Sequence, residues 1–258
     1  MHRVRILGVP IDPISMEDAV ARVTSMLQGS KQCHVMTPNS EMLVEAAHNQ
    51  PFKDVLLRSD LNLPDSTGLL WAARRSGQRI PERVAGVDFV ERLCISLCAD
   101  CPVFLLGGRN HAAEGAAEKL RIEHARLPPA CRQGRDGQGK LKIAGVYEGS
   151  PQDNDAAEII RRVNNSGAKL LLVAYGAPAQ DLWIAKHLSR MPSVRVAIGV
   201  GGTFDFLSGR ARRAPMCMRQ TGLEWLWRLV LQPRRIKRIF TATVVFPWMV
   251  LKCRSDQL

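Results

Sequence analysis

The order of apolar and polar positions over residues 1–208 predicts a chain of repeated strand–helix units. Short apolar runs that are typical of strands occur at residues 3–9, 34–36, 61–64, 103–106, 143–147, 170–174 and 194–200. Between them apolar residues recur at helical spacing, as Ala19, Val23 and Leu27 do. Strands that alternate with helices build parallel sheets, so the pattern predicts an α/β fold with a Rossmann-like, mostly parallel sheet flanked by helices.

Polar residues and glycines follow these apolar runs directly. In a parallel sheet the carboxyl ends of the strands meet at one edge, where α/β proteins bind their ligands. The residues at such positions include Thr37, Asn39, Asp65, Gly107, Gln180, Gly202 and Asp205. Their shared position predicts a single active site, although helix caps and tight turns would account for each residue separately.

The stretch from residue 199 to residue 215 combines glycines, one acid and a basic flank. Gly201 and Gly202 follow an apolar run and leave room for a ligand against the main chain, and Asp205 comes soon after them. Three arginines follow, namely Arg210, Arg212 and Arg213. Guanidinium groups bind phosphates well, so the stretch indicates a site for a phosphorylated ligand. A strand-to-helix turn with a solvated basic flank is the alternative.

Two further turns carry residues that can take part in catalysis or bind an anion. Asp65 ends a strand, where a carboxylate can act as a general base or bind a hydroxyl group, and helix capping is the alternative. Arg83 precedes a predicted helix, so it can face an anion together with the helix N-terminus. Gly107 and Gly108 also end a strand, but the third glycine and the ribose-binding acid of dinucleotide sites are missing, which argues against NAD.

The positive charge of the chain is concentrated in its last fifty residues. The 258 residues carry a formal charge of +12, and residues 209–258 hold eleven lysines and arginines against two acids. The sequence therefore predicts an α/β catalytic domain at 1–208 and a basic, amphipathic helical appendage at 209–258. Such an appendage implies a polyanionic partner: a nucleic acid, an anionic membrane surface or a phosphorylated substrate.

The aromatic residues of the appendage favour a membrane among these partners. Trp225 and Trp227 lie with apolar residues at helical spacing and with clustered arginines, a combination that suits a helix in a membrane interface. A terminal helix packed on the domain is the alternative. A nucleic-acid arm is disfavoured because the tryptophans lie in apolar helical segments. No window reaches the roughly 20 apolar residues of a membrane span, and the first residues do not resemble a signal peptide.

The seven cysteines form no regular framework, which fits a reducing compartment. Cys94, Cys98 and Cys101 have a spacing that metal ligands or a redox pair can share. No second pair and no histidine at ligand spacing accompany them, so small buried hydrophobes are the favoured interpretation. No metal site is predicted.

Four motifs follow one another in a fixed order. They occupy residues 83–88 (Arg-Val-Ala-Gly-Val-Asp), 176–184 (Gly-Ala-Pro-Ala-Gln-Asp-Leu-Trp-Ile), 199–206 (Gly-Val-Gly-Gly-Thr-Phe-Asp-Phe) and 222–227 (Gly-Leu-Glu-Trp-Leu-Trp). In this order the chain resembles the WecG/TagA/CpsF glycosyltransferase family, glycosyltransferase family 26. The resemblance extends from the turn at residues 37–41 to residues 232–235.

The resemblance implies a bacterial inverting transferase with the GT-E type of α/β fold. Members move a sugar from a nucleotide donor, commonly UDP-linked, to a polyprenyl-diphosphate-linked saccharide in cell-surface polysaccharide synthesis. The expected partners are thus a nucleotide-sugar donor, that lipid-linked acceptor and an anionic membrane surface, with no nucleic acid and no metal or other cofactor. The expected location is peripheral, on the cytoplasmic face of the plasma membrane, with self-association when soluble. The donor sugar, the acceptor and the pathway stay open.

The resemblance also implies roles for individual residues. Asp65 matches the proposed base, and Thr37 and Asn39 match the motif that lines the same pocket. Arg83 and Gln180 match positions that hold substrate. The nucleotide is expected at Gly107, Gly108, Tyr147, Gly201, Gly202 and Asp205. The lipid diphosphate and the membrane are expected at Arg212, Arg213, Arg219, Arg228, Arg234 and Arg235.

Two residues depart from the pattern of the family. Ser66 replaces the glycine that commonly follows the base, which leaves the geometry of that turn open. Asp181 replaces the glutamate that commonly follows Gln180, which leaves any role of the longer acid open. The alternative functions are a non-catalytic basic protein that binds nucleotide or nucleic acid and a nicotinamide-dependent oxidoreductase. The polar residues at strand ends argue against the first, and the missing dinucleotide fingerprint argues against the second.

Overall fold

The computed structural model describes residues 2–97, 100–126, 140–220 and 224–253, without the side chains of Arg219, Gln220 and Arg228. Its centre is a six-stranded sheet in the order β4-β3-β8-β7-β5-β6, in which all neighbouring strands are parallel. The strands are β3 (Cys33–Met36), β4 (Leu61–Asn62), β5 (Val103–Gly107), β6 (Ile143–Tyr147), β7 (Leu170–Ala174) and β8 (Val196–Gly199). The predicted α/β fold with a mostly parallel sheet is confirmed.

Helices flank this sheet. Those up to residue 208 are α1 (Met16–Gln28), α2 (Ser40–His48), α3 (Gln50–Arg58), α4 (Thr67–Arg75), α5 (Gly86–Ser96), α6 (Ala112–Arg126), α7 (Asp153–Ser166), α8 (Ala179–His187) and α9 (Thr203–Leu207). The appendage contains α10 (Met216–Gln220), α11 (Glu224–Leu231), α12 (Ile236–Phe240) and α13 (Phe246–Lys252). Among the helices described, none combines the length and apolar character that a membrane span requires.

Capping residues explain where several helices begin and end. The Ser15 side chain accepts a hydrogen bond from the backbone N–H of Asp18 at the start of α1, and Asn39 does the same for Met42 at the start of α2. Gly167 ends α7 with a φ of 65°, in the left-handed region that favours glycine. The Asn39 cap matters for the site because it sets the turn that follows β3.

The prediction of one strand at residues 3–9 is wrong. The chain turns at Leu7 and Gly8, and β1 (Val4–Ile6) pairs with β2 (Val9–Ile11) in an antiparallel hairpin outside the main sheet. Both turn residues have positive φ values, 51° and 80°, as a tight two-residue hairpin turn requires. The turn was not predicted because Leu7, one of its two central residues, continues the apolar run.

Three clusters of buried apolar side chains join the helices to the sheet. Two of them lie between the sheet and the helices that flank it. The third joins the hairpin, α2, α3 and α4 to α13, whose Phe246 and Val250 are buried in it. The last described helix of the appendage therefore packs on the body of the protein. The boundary predicted at residue 208 stays a prediction.

Candidate active site

The turns that follow β4, β3, β8 and β7 converge at one edge of the sheet. These four strands are consecutive in the sheet and all run in parallel, so their carboxyl ends lie side by side. The turns line a cavity of about 420 Å³, here named the sheet-edge cavity. Its predicted site residues are Thr37, Asn39, Asp65, Gln180, Gly201, Gly202 and Arg235.

A second cavity of about 620 Å³, the appendage cavity, adjoins the first. Its wall includes α4 and the appendage helices, which contribute the apolar side chains of Trp71, Trp225, Ile239 and Pro247. Five residues line both cavities, namely Asn39, Glu41, Asp65, Arg235 and Arg238. Asp65 thus stands where a polar cavity meets a more apolar one.

The neighbouring loop holds the Asp65 carboxylate in place. Its Oδ1 accepts a hydrogen bond of 3.0 Å from the backbone N–H of Gly86, the first residue of α5. The backbone N–H of Asp65 donates to the carbonyl of Pro38, and its carbonyl accepts from Nε of Arg83. The side chain is nevertheless 25% exposed. Asp65 therefore does not cap the helix that follows it, α4, whose N-cap is Ser66; its carboxylate bonds to the first residue of α5 and also faces the cavities.

Arg83 connects Asp65 to the appendage. Its Nη2 lies 2.9 Å from Oε2 of Glu224, on α11, and 3.8 Å from Oδ1 of Asp65. Burial opposes the charge of the guanidinium, but the carboxylates of Asp65, Glu224 and Asp88 together outweigh burial and raise the pKa of Arg83 above its ordinary value. Arg83 is thus a permanent cation beside the candidate base.

Gln180 joins the glycine turns that follow β7 and β8. Its side chain is buried, and its Oε1 accepts hydrogen bonds from the backbone N–H groups of Gly176 (3.1 Å) and Gly201 (2.9 Å). A Cβ atom at Gly199 would lie only 2.6 Å from Nε2 of Gln180. This packing fixes the wall of the sheet-edge cavity. The predicted contact of Gln180 with substrate stays a prediction.

Replacing Gln180 by leucine is expected to lower the free energy of unfolding by about 1–3 kcal/mol and to raise KM for the donor. Leucine has a similar size but accepts no hydrogen bond, so the N–H groups of Gly176 and Gly201 lose their partner. Urea titration and steady-state kinetics measure the two effects. Gln50→Leu is the control, because it makes the same replacement at an exposed position of α3. Equal behaviour of the two variants would contradict the structural role of Gln180.

Ser66 and Asp181, the two residues that depart from the family pattern, both have defined contacts. Ser66 has a φ of −132°, a value open to any residue, so this turn does not need glycine. Its Oγ lies 3.0 Å from Oγ of Ser40 and joins the turns after β3 and β4. Asp181 is fully buried, and its Oδ1 lies 3.5 Å from Nε2 of His34. The shorter acid thus lies beneath the cavity wall rather than in it.

Three predicted nucleotide-binding residues lie farther along the edge. Gly107 and Tyr147 are the last residues of β5 and β6, which form the other end of the sheet, and Gly108 follows Gly107. A Cβ atom at Gly108 would lie 3.2 Å from the ring of Phe204, and the Arg162 guanidinium lies 4.3 Å from the centre of the Tyr147 ring. None of the three lines the sheet-edge or appendage cavity. Their role in binding nucleotide stays a prediction.

A smaller cavity of about 210 Å³, the arginine cavity, lies beside the sheet-edge cavity and shares Gly202 and Arg235 with it. Trp227 closes part of it and donates a hydrogen bond to the carbonyl of Arg212. The other lining residues include Asp205, Arg210 and Arg212. The structure thus brings Asp205 close to the glycine turn after β8, together with several guanidinium groups.

The other arginines predicted to meet the lipid diphosphate or the membrane differ in their surroundings. Arg213 forms an ion pair with Asp88 on α5, with 3.1 Å between Nη2 and Oδ2. Arg234 is exposed. The side chains of Arg219 and Arg228 lie outside the part of the chain that the structure describes. Arg213 therefore helps to hold the appendage on the body, and the ligand roles of all four stay predictions.

In the described ranges no three His, Cys, Asp or Glu side chains are grouped so as to hold a metal ion. One Asp-x-Asp pair, Asp153 and Asp155, begins α7. Asp153 is paired with Lys186 at 2.6 Å, and Asp155 accepts a hydrogen bond from Ser150. Neither aspartate lines a cavity described above.

The cysteine motif is structural at the position that can be examined. Cys94 is fully buried, and burial raises the pKa of its thiol to about 12, so it is not a reactive nucleophile. Cys101 is partly buried, and Cys98 lies outside the described residues. The interpretation as a small buried hydrophobe is confirmed for Cys94.

The charged residues that line the cavities but were not among the predicted site residues include Glu41, Glu224 and Arg238. Nε of Arg238 lies 2.6 Å from Oε1 of Glu41, and Glu224 is paired with Arg83. Glu41 and Glu224 lie inside segments that carry the family resemblance, at residues 37–41 and 222–227, and Glu224 is also one of two acids in residues 209–258. A rare acid in a basic segment indicates an ion pair.

Comparisons with known proteins agree with this geometry. The sequence profile of the Glycosyl transferase WecG/TagA/CpsF family matches residues 4–258. The chain is 31% identical over 208 residues to an N-acetylglucosaminyldiphosphoundecaprenol N-acetyl-beta-D-mannosaminyltransferase of Bacillus subtilis, covering 80% of this chain and 75% of that protein. It is 30% identical over 219 residues to the protein of the same name from Bacillus spizizenii, covering 84% of this chain and 79% of that protein.

Proposed function

Because this chain belongs to the WecG/TagA/CpsF family of glycosyltransferases, we propose that it transfers an N-acetylhexosamine from a UDP-sugar to a saccharide on undecaprenyl diphosphate. The activity of the two Bacillus relatives makes N-acetylmannosamine the first candidate for the sugar and N-acetylglucosaminyl-diphosphoundecaprenol the first candidate for the acceptor. Family membership also favours catalysis over the alternative of a non-catalytic protein that binds nucleotide or nucleic acid.

The position of Asp65 between two cavities is the observation that carries this proposal. The sheet-edge cavity is lined by glycine turns and by the basic side chains of Arg235, Lys237 and Arg238, which suit a nucleotide diphosphate. The appendage cavity has tryptophan and aliphatic walls, which suit the first isoprene units of a lipid. A carboxylate at their junction reaches both a bound donor and a bound acceptor.

The proposed reaction is a single displacement with inversion at the anomeric carbon. Asp65 accepts the proton of the acceptor hydroxyl group as its oxygen bonds to the anomeric carbon. The bond from that carbon to the donor diphosphate breaks, and the electron pair leaves with the diphosphate. Arg235, which lines all three cavities, is placed to stabilise this charge. We propose that it does so without a metal ion.

Exposed apolar side chains in the appendage support peripheral attachment to the inner face of the plasma membrane. Val230 is 72% exposed, and Ile236, Phe240, Trp248 and Leu251 are more than half exposed. Lysines and arginines alternate with them along the chain. Apolar insertion combined with basic charge is how interfacial helices bind anionic lipid. Self-association when the protein is off the membrane remains a prediction of the family resemblance.

A donor panel tests the proposed function. Purified protein is incubated with UDP- and GDP-sugars and a short polyprenyl-diphosphate-linked N-acetylglucosamine in detergent, and the product is analysed by mass spectrometry. We expect one UDP-N-acetylhexosamine to add a single residue to the acceptor, with unchanged turnover in EDTA. Loss of turnover in EDTA that Mg²⁺ or Mn²⁺ restores would contradict the metal-independent step. Absence of product from every donor would contradict the proposed substrates.

A further inference from the structure

One guanidinium is shared between the candidate base and the appendage. Arg83 lies on the loop before α5, Asp65 lies on the turn after β4, and Glu224 lies on α11 of the appendage. Nη2 of Arg83 is in contact with Glu224 at 2.9 Å but is 3.8 Å from Asp65. The Glu224 side chain is 8% exposed, so this ion pair is shielded from water and salt.

The unequal sharing has a chemical consequence. A carboxylate in close contact with a guanidinium is stabilised in its charged form and becomes a weaker proton acceptor. The rate of general base catalysis depends on the strength of that acceptor. The second contact of Arg83, from Nε to the backbone carbonyl of Asp65, keeps the guanidinium within reach of the carboxylate. A group that holds Nη2 of Arg83 near the appendage therefore keeps the Asp65 carboxylate a stronger proton acceptor.

We propose that Glu224 is a positioning residue for sugar transfer, which acts by holding Arg83 away from the Asp65 carboxylate. This inference rests on the proposed function, in which Asp65 is the base. Because Glu224 belongs to α11, the base is fully active only when this helix is seated on the body. The Arg83–Glu224 pair thus couples placement of the appendage, which also lines the acceptor's cavity, to the chemistry at Asp65.

Besides Arg83, the charge of Glu224 also acts on Arg213: burial opposes the charge of that guanidinium, but Asp88 and, to a smaller extent, Glu224 raise its pKa. Arg235 and Arg238 line the same two cavities as Asp65, and Glu41 is paired with Arg238. Asp88, on α5, is paired with Arg213. A shift in the pH dependence of a Glu224 variant therefore reports on the Arg83–Asp65 contact and on the lost charge of Glu224.

The test is the pH profile of kcat/KM for Glu224→Gln in the full chain, with a UDP-sugar donor and a lipid-diphosphate acceptor. We expect the plateau to fall about tenfold and the acid limb to move to lower pH by about one unit, because Arg83 closes onto Asp65. Glu224→Asp, which keeps the charge, is expected to restore the position of the acid limb. An unmoved limb, with activity that follows only the folded fraction in thermal melts, would overturn the proposal.

A second pair of variants separates an action through Arg83 from a structural role. In Arg83→Gln the acid limb is expected to move to higher pH. Adding Glu224→Gln is then expected to shift it much less than the same substitution shifts the wild type, because only the direct effect of the lost charge remains. The double variant buries no unpaired charge, so it remains informative if Glu224→Gln alone folds poorly. A shift as large as that in the wild-type background would overturn the proposal. Turnover retained in Asp65→Asn would instead refute the proposed function itself.

Discussion

Replacing Asp65 by asparagine is expected to reduce sugar transfer by about 10²- to 10⁴-fold, the usual contribution of a general base. Asparagine keeps the size of the side chain and its oxygen can still accept the hydrogen bond from Gly86. It cannot take a proton from the acceptor hydroxyl group. Donor binding is expected to stay nearly unchanged, because the glycine turns and Gln180 form the opposite wall of the sheet-edge cavity. Single-turnover kinetics and calorimetry with UDP measure the two effects.

Asp54→Asn is the matched control for this substitution. Asp54 lies on α3, outside the cavities described above, and bonds to the side chain of Gln50. It is expected to retain full transfer and full stability. Parallel loss of transfer and UDP binding in Asp65→Asn would mean that Asp65 acts through the Gly86 contact and the fold of the turn.

Replacing Phe246 by alanine is expected to lower the free energy of unfolding by about 3–5 kcal/mol, the usual cost of a large cavity in a core. Phe246 is fully buried in the cluster that joins α13 to α2 and α4, and its Cε1 lies 3.4 Å from where a Cβ of Gly68 would stand. Transfer should fall as well, because neighbouring Pro247 lines the appendage cavity. Urea denaturation measures the loss of stability.

Trp248→Ala provides the comparison within the same helix. Trp248 is 54% exposed and contacts Lys252, so its removal is expected to change the free energy of unfolding by less than about 0.5 kcal/mol. Binding to vesicles that contain anionic lipid should weaken, because an exposed aromatic side chain is lost from the interface. Equal stability of the Phe246 and Trp248 variants would show that α13 is not part of the core.

The parallel sheet was predictable because its strands are short apolar runs, each followed by glycine or polar residues. The same rule placed Thr37, Asp65 and Gln180 at one edge, and that convergence is confirmed. This rule does not predict the order of the strands in the sheet, and so it does not predict which turns are neighbours. Gly107 and Tyr147 satisfy the rule as well as Asp65 does, but β5 and β6 lie at the far end of the sheet. Strand order depends on long-range pairing, which local spacing does not contain.

The contacts of the appendage were the least predictable part of the site. Charge and tryptophan content favoured a membrane-facing helix, but the alternative of a terminal helix packed on the domain describes α13, whose Phe246 is buried in the body. The Arg83–Glu224 pair joins residues 141 positions apart. A pair of that separation becomes visible only when the fold brings α11 against the loop before α5. Family resemblance identified both segments without connecting them.

Acceptor-dependent release of UDP tests the central claim most directly, that Asp65 catalyses transfer between the two cavities. The wild-type protein and Asp65→Asn are each incubated with the active donor, with and without the lipid-diphosphate acceptor. We predict rapid release only for the wild type with acceptor, and no release above background in the other three reactions. Release of UDP by Asp65→Asn at the wild-type rate, or release that does not depend on the acceptor, would contradict the claim.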